Sequence, residues 1–331
     1  MIKSLEFLRI TAAIFVVLCH LPDFSGINIF KNSPFNGAIG VDIFFIISGV
    51  VIGITASKSF LKREWKPFLI KRIFRVFPLY ILVTIAYIIA TGSVSLYSTE
   101  DFLLSLFLFP TYSEGSASDP IVYLGWTLRF EMFFYIATAI SIRFNNVRSI
   151  LSFILLSAIV SNYFWGFYFG ELIILEFLIG FMIGTNMDRV EKASSKITLS
   201  SKYLFLIFSI SVLMILSTGS DSINTGAVPR MSIDFHGLVI NRAIIWGWSS
   251  ALFVVSVLLL ENQLKWKLAF LGKYTYSVYL LQVIAIPLSN AIYPFENGVQ
   301  SLFMLIIVLS GMSYVSFHFI ETPINRIAKR F

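Results

Sequence analysis

The sequence predicts an all-α protein that crosses a membrane many times. Of its 331 residues, 57% are hydrophobic and only 13% are charged, and the mean hydropathy is +0.84. Soluble domains carry roughly twice that fraction of charged residues. Apolar runs of membrane-spanning length recur along the whole chain. Each run is expected to be a helix, because lipid offers no partners to unpaired backbone groups.

About ten such helices are predicted, and their number fixes the topology. An even number of crossings puts both termini on one side of the membrane. That side collects most basic residues, such as Lys3, Lys71 and Arg143, while the other side has little beyond Lys31 and Arg230. The positive-inside rule therefore predicts cytoplasmic termini. The predicted spans are residues 5–22, 38–57, 77–93, 123–142, 149–166, 170–187, 203–218, 239–260, 268–288 and 300–320.

The segment 102–112 does not fit this pattern. It is strongly apolar, but it is too short to cross the membrane, and Pro110 ends it. Counting it as a crossing would place the later basic loops outside. It is therefore expected to be a re-entrant or an interfacial segment on the outer side, and both alternatives stay open. Residues 1–331 are expected to form one integral-membrane domain without a soluble C-terminal domain.

Composition argues against several classes of function. The net charge of +7 follows the membrane topology, so no nucleic-acid partner is expected. Cys19 is the only cysteine and the chain has three histidines, which predicts no metal site. No glycine-rich phosphate loop is present, which argues against an ATP-driven pump.

An ionisable pair marks the first predicted helix. Arg9 and His20 lie eleven positions apart, so on a helix they project from nearly the same face, about 16 Å apart along the axis. Such groups in a membrane helix usually face a bundle interior or a wet cavity. Other polar residues are predicted at the depth of His20: Asp42, Arg129, Glu131, Tyr279 and Gln282.

Two further patterns concern the cytoplasmic side and helix packing. Arg72 and Arg75 are helical neighbours there, and guanidinium groups bind phosphate in fork geometry. Anionic lipid headgroups are an alternative ligand for such a pair. Small-x-x-x-small spacing predicts close helix contacts at three pairs of glycines: Gly49 and Gly53, Gly166 and Gly170, and Gly180 and Gly184.

Read in order, these motifs resemble membrane acyltransferase family 3, the O-acyltransferases of bacterial surface polysaccharides and nodulation factors. The resemblance covers essentially the whole chain. At Gln282 many members carry histidine, so no role of that histidine is transferred. The matching segments are Arg9 to His20, Gly40 to Gly49, Arg72 to Arg75, Trp126 to Glu131, Tyr276 to Leu280 and Glu321 to Pro323.

The resemblance implies that an acyl group passes from cytoplasmic acyl-CoA, usually acetyl-CoA, to a sugar hydroxyl on the far side. The expected partners are acyl-CoA, the lipid bilayer and a polysaccharide or lipid-linked glycan acceptor. No bound cofactor is expected, since acyl-CoA acts as a co-substrate. The expected location is a bacterial inner membrane, as a multi-pass protein involved in O-antigen-like modification. The outer segments 23–38, 99–123 and 219–238 are expected to select the acceptor.

Roles for the residues follow from this implied activity. His20 is expected to be the base that deprotonates the acceptor, or to carry the acyl group itself. Glu131 or Asp42 is expected to orient the imidazole, and Glu131 is favoured because the family motif includes it. A role for Arg129 near Glu131 or at an oxyanion is a weaker alternative. Donor binding is assigned to Arg9, Arg72 and Arg75, and substrate binding to Ser48, Trp126, Tyr279 and Gln282.

Two other functions remain compatible with the residues. Polar groups inside a ten-helix bundle also suit a transporter or a flippase of a lipid-linked sugar. An acyltransferase acting on a small molecule is the third alternative. A transporter would move its substrate without covalent change, whereas an acyltransferase would leave an ester on the product.

Overall fold

The protein is described by a computed structural model, which covers residues 2–25, 36–62, 64–113, 116–144, 146–218, 220–223, 232–235, 238–293 and 298–331. Lys31, Glu114, Arg230, His236 and Glu296 lie outside the described residues. The helices are α1 Lys3–Ser25, α2 Ile39–Lys62, α3 Trp65–Thr91, α4 Thr99–Leu106, α5 Gly125–Arg143, α6 Val147–Trp165, α7 Ile174–Thr185, α8 Met187–Lys196, α9 Leu199–Thr218, α10 Arg242–Leu259, α11 Thr275–Ile292, α12 Gly298–Ser316 and α13 Thr322–Ala328.

The predicted class, a helical protein with many membrane crossings, is confirmed. Among the described residues, eight helical segments are long and apolar enough to span a membrane. Two further predicted spans correspond to α5, with 19 residues, and α7, with 12. Twelve helical residues cover about 18 Å, less than the roughly 30 Å of a hydrocarbon core. The total of ten crossings and the side of the termini stay predictions.

Helix α3 begins earlier than the sequence predicted. The expected span started at residue 77, but the helix begins at Trp65 and continues through Pro78. Arg72 and Arg75 therefore lie on a membrane helix instead of a preceding loop. Both side chains are therefore positioned by the first turns of a continuous helix.

The segment 102–112 contains the end of the two-turn helix α4 and the start of a β-hairpin. Tyr80 of α3 donates a hydrogen bond to the Ser105 carbonyl oxygen at 3.0 Å, which fixes α4 against the bundle. The sequence had predicted no strands. The structure adds two small antiparallel sheets, β1 Thr111–Ser113 with β2 Ser116–Ser118, and β3 Ser220–Ile223, β4 Ser232–Phe235 and β5 Leu238–Asn241 in that order.

The tightest helix contact joins α2 to α7, and glycines make it possible. A Cβ added to Gly49 would lie 2.3 Å from the Phe177 carbonyl oxygen, and one added to Gly180 would lie 2.1 Å from the Ile46 carbonyl oxygen. These distances confirm the close packing predicted from the glycine spacing. Gly166 differs, because it ends α6 with a φ of +69° instead of packing against a neighbouring helix.

The C-terminal helices form a continuous unit beside α1. A 3₁₀ helix, Lys267–Tyr274, leads directly into α11. Helix α12 continues through a π-helical turn, Phe317–Glu321, into α13. Such turns often accompany functional sites, because they rotate one side chain away from the α-helical pattern.

The glycine contact gives a first testable prediction. Gly180→Ala places a methyl group against the α2 backbone, so it is expected to lower the free energy of unfolding by about 1–3 kcal/mol. Gly311→Ala makes the same chemical change on α12, where nothing lies within 4 Å of the added atom. Thermal unfolding of the detergent-purified proteins measures both effects. Equal melting temperatures for the two variants would contradict the close contact.

Candidate active site

A small polar chamber of about 60 Å³ lies between α1, α2, α3, α5 and α11. Its walls include apolar residues such as Val41, Phe44 and Phe45. Five of its polar residues were selected from the sequence, namely Arg9, Ser48, Arg75, Glu131 and Tyr279. They lie on five different helices, and the fold brings them together. The polar residues that line it are Arg9, Ser48, Arg75, Thr127, Glu131, Tyr276 and Tyr279.

Glu131 is held firmly at the chamber wall. Ser48 of α2 donates a hydrogen bond to Glu131 Oε1 at 3.2 Å, and Tyr135, one turn later on α5, donates to the same oxygen. Hydrogen bonds to a carboxylate fix its orientation and stabilise its charge. Tyr135 was not among the residues selected from the sequence.

Carboxylates lie near both arginines of the chamber. Arg9 forms an ion pair with Glu6 at 3.5 Å. Arg75 interacts electrostatically with Glu131, which lines the chamber, and with Glu321 and Glu6, which do not. These carboxylates offset part of the positive charge of Arg75. Arg75 therefore has less charge to offer a phosphate than the sequence suggested.

Arg72 lies outside the chamber, one turn before Arg75 along α3. Its guanidinium donates to Thr55 Oγ1 at 3.5 Å and lies over the rings of Phe68 and Tyr135, at 5.6 and 5.4 Å. Because the Tyr135 hydroxyl also binds Glu131, this tyrosine connects the cation to the chamber carboxylate. Arg72 is half-buried and lies nearer than Arg75 to the beginning of α3.

His20 is half-buried, and its ring centre lies 5.2 Å from that of Tyr123. Its Nδ1 lies 2.8 Å from the Val16 carbonyl oxygen. A carbonyl only accepts hydrogen bonds, so in the neutral ring Nδ1 carries the proton and Nε2 carries the lone pair. The α1 backbone thus supplies the orientation that the sequence had assigned to Glu131.

His20 is not among the residues that line the chamber. Thr127 and Tyr279, which do line it, share a hydrogen bond of 2.8 Å, and the Tyr279 hydroxyl also reaches the Leu124 carbonyl oxygen at 3.1 Å. Leu124 directly follows Tyr123, the ring that contacts His20. The Thr127–Tyr279 bond therefore lies at a wall of the chamber that adjoins the Tyr123–Leu124 segment.

Asp42 belongs to a separate buried cluster. Arg242, at the start of α10, contacts both Asp42 oxygens, with Nη2 at 2.5 Å from Oδ2 and Nε at 3.3 Å from Oδ1. Glu176 of α7 interacts with both residues. The sequence analysis missed Arg242 and Glu176. An arginine at the predicted outer end of a span, at the depth of Asp42, was the signal that could have found Arg242.

The remaining predicted residues surround these two clusters. Trp126 is buried. Its ring centre lies 5.9 Å from the ring centre of Phe45 and 5.9 Å from Cζ of the Arg242 guanidinium. Gln282 is fully buried and donates to the Tyr279 carbonyl oxygen at 2.8 Å. Arg129 lies over the Tyr168 ring at 5.8 Å. Arg129 and Glu131 are two positions apart on α5 and project to opposite sides.

A sequence profile described as an acyltransferase domain matches residues 2–317. The chain belongs to membrane acyltransferase family 3. This match confirms the family suggested by the motifs. No solved structure matches the chain.

Two named relatives are similar to this chain. The exopolysaccharide production protein ExoZ of Rhizobium meliloti (strain 1021) is 32% identical over 164 residues, 45% of this chain and 50% of that protein. The putative peptidoglycan O-acetyltransferase YrhL of Bacillus subtilis (strain 168) is 26% identical over an aligned length of 370 residues, 98% of this chain and 55% of that protein. The chain spans about half the length of these relatives.

The Asp42–Arg242 pair gives a second prediction. Asp42→Asn leaves a buried guanidinium with less compensation, and breaking a buried pair typically costs about 3–5 kcal/mol. The double variant Asp42→Leu with Arg242→Met is expected to lose less stability than the sum of the losses in the single variants Asp42→Leu and Arg242→Met. Thermal unfolding of the parent, these two single variants and the double variant forms the double-mutant cycle. If Asp42→Asn instead melts like the parent and lacks activity, Asp42 is catalytic.

Proposed function

We propose that the protein transfers an acyl group, in the first instance acetyl, from cytoplasmic acyl-CoA to a sugar hydroxyl of an exported polysaccharide or lipid-linked glycan. The names of the two relatives refer to exopolysaccharide production and to peptidoglycan O-acetylation. The observation that carries the proposal is that Arg9 and His20 lie on one face of α1. Arg9 lines the chamber, and His20 lies three turns further along the helix, outside the lining. A bacterial inner membrane and cytoplasmic termini belong to the same proposal.

The donor would enter from the cytoplasmic end of α3. Coenzyme A is a polyanion that cannot enter lipid, so its phosphates need cations at that end. Arg72 meets this need best, because Arg75 already faces three carboxylates. The thin pantetheine arm would then pass Arg75 and Arg9 into the chamber. Its thioester could approach His20 only after the Thr127–Tyr279 hydrogen bond opens.

The acceptor chemistry would centre on Nε2 of His20. This nitrogen takes the proton of the acceptor hydroxyl while the hydroxyl oxygen attacks the thioester carbonyl carbon. The carbon–sulfur bond breaks, and the leaving thiolate of coenzyme A receives the proton. The Val16 carbonyl holds the Nδ1 proton throughout, which stabilises the imidazolium that forms.

A two-step route uses the same nitrogen and is a distinct form of the mechanism. Nε2 would attack the thioester first and release the thiol, and the acceptor hydroxyl would then attack the acyl-imidazole. Incubation with acetyl-CoA in the absence of acceptor separates the routes. An acetylated peptide containing His20 supports the two-step route. Unmodified protein, with all of the acetyl-CoA unconsumed, supports direct transfer.

His20→Ala is expected to reduce acetylation of cell-surface polysaccharide at least about 100-fold, because it removes the base of the direct route and the nucleophile of the two-step route. Mass spectrometry of the polysaccharide measures ester content. Thr11→Ala is the matched control, since it removes a polar side chain from the same helix outside the chamber and is expected to retain activity. Wild-type ester content in the His20 variant, at equal membrane abundance, would reject the proposed mechanism.

Arg72→Gln is expected to raise the KM for acetyl-CoA roughly 10-fold while leaving the KM for the acceptor unchanged, because a charge-assisted bond to phosphate is lost. Lys192→Gln on α8 removes an exposed cation elsewhere and serves as the control. Steady-state kinetics with the purified enzyme provides both constants. Parallel changes in the two KM values would indicate a structural role for Arg72.

A further inference from the structure

An apolar groove of about 560 Å³ runs along α1, α11 and α12, on a different face of α1 from Arg9 and His20. Aliphatic side chains line most of its length, including Ile14 and Val17 of α1 and Leu305 and Leu309 of α12. A groove of this shape and chemistry between membrane helices accommodates hydrocarbon chains. It is separate from the polar chamber, whose lining it does not share.

One polar atom in this groove lacks a partner. Ser313 is only 2% exposed, it lines the groove, and its hydroxyl makes no hydrogen bond among the described residues. A buried hydroxyl without a partner is unfavourable. Serines inside helices usually bond to a preceding carbonyl, as Ser289 does with Ala285 at 2.6 Å. Ser313 is thus available to donate to an acceptor atom in the groove.

The groove ends in a polar aromatic cluster at the side predicted to be cytoplasmic. Tyr274 and Tyr314 line the groove and also contact His318, with ring centres 6.3 and 4.3 Å away. The Tyr274 hydroxyl lies 3.4 Å from His318 Nε2. The exposed Lys273 ammonium lies 4.8 Å from the Tyr274 ring centre. This end therefore offers a cation and polar groups at the level of lipid headgroups.

We propose that this groove binds an anionic diacyl glycerophospholipid of the cytoplasmic leaflet. Its chains would lie along the aliphatic walls, and its phosphate would meet Lys273 and the Tyr274–His318 pair. Ser313 precedes Tyr314 on α12, so its hydroxyl lies just inside the headgroup level, where an ester carbonyl can accept its proton. A polyprenyl phosphate has no such carbonyl, which is why a glycerolipid is the preferred occupant.

Native mass spectrometry of the detergent-purified protein tests the proposal with four probes: diacyl phosphatidylglycerol, its dialkyl-ether analogue, diacyl phosphatidylcholine and undecaprenyl phosphate. Lys273→Gln is expected to weaken phosphatidylglycerol binding about fivefold. Lys267→Gln, a nearby exposed lysine outside the cluster, is expected to have little effect. Ser313→Ala is expected to weaken binding of the diacyl lipid about three- to tenfold and to leave binding of the ether analogue unchanged.

The thermal stability of Ser313→Ala without added lipid is expected to equal or exceed that of the parent, since an unpaired buried hydroxyl is removed. Equal binding of the ester and ether lipids by the parent protein would overturn the role of Ser313. Tighter binding of undecaprenyl phosphate than of phosphatidylglycerol would overturn the choice of lipid and assign the groove to a lipid-linked acceptor. None of these outcomes depends on the catalytic role of His20.

Discussion

Charge neutralisation inside an apolar bundle is the constraint on which this structure depends. A charged group transferred from water into lipid is stable only when an opposite charge or several hydrogen bonds meet it there. Asp42 and Arg242 satisfy this requirement with two contacts between α2 and α10. Glu176 of α7 is buried beside them, but its two carboxylate oxygens have no hydrogen-bond partner in the part of the chain that the structure describes. The Asp42–Arg242 pair thus fixes α2 relative to α10.

The same constraint shapes the chamber in a different way. Arg9 and Arg75 lie among three carboxylates, so the chamber is polar but not strongly positive. A thioester arm is uncharged and tolerates such a lining, whereas a nucleotide phosphate needs uncompensated cations. This difference separates the proposed path of the acyl group from the proposed binding site of the coenzyme A head. Tyr135 links the two sites, because its ring contacts Arg72 and its hydroxyl donates to Glu131.

Sequence reasoning assembled much of the chamber because depth in a membrane can be read from the chain. Arg9, Ser48, Glu131 and Tyr279 were selected from their motifs and predicted depths, and all four line one cavity. The same reasoning gave Glu131 or Asp42 the task of orienting His20, which stays a prediction, and it did not foresee the contact of His20 Nδ1 with the Val16 carbonyl oxygen. Backbone carbonyls carry no signal in a sequence, so their hydrogen bonds could not be foreseen.

The sequence alone determined the helical membrane class, the glycine spacings that allow close helix packing and the shared helical face of Arg9 and His20. These follow from local composition and from fixed helical spacing, whereas the family follows from the order of its motifs along the chain. Only the tertiary structure decided the partners of the charges and of the glycines. Asp42 and Arg242 are 200 positions apart, and Arg75 interacts with Glu321 because the π-helical turn Phe317–Glu321 packs beside α3. Electrostatic pairing depends on distance in space, and helix packing sets that distance.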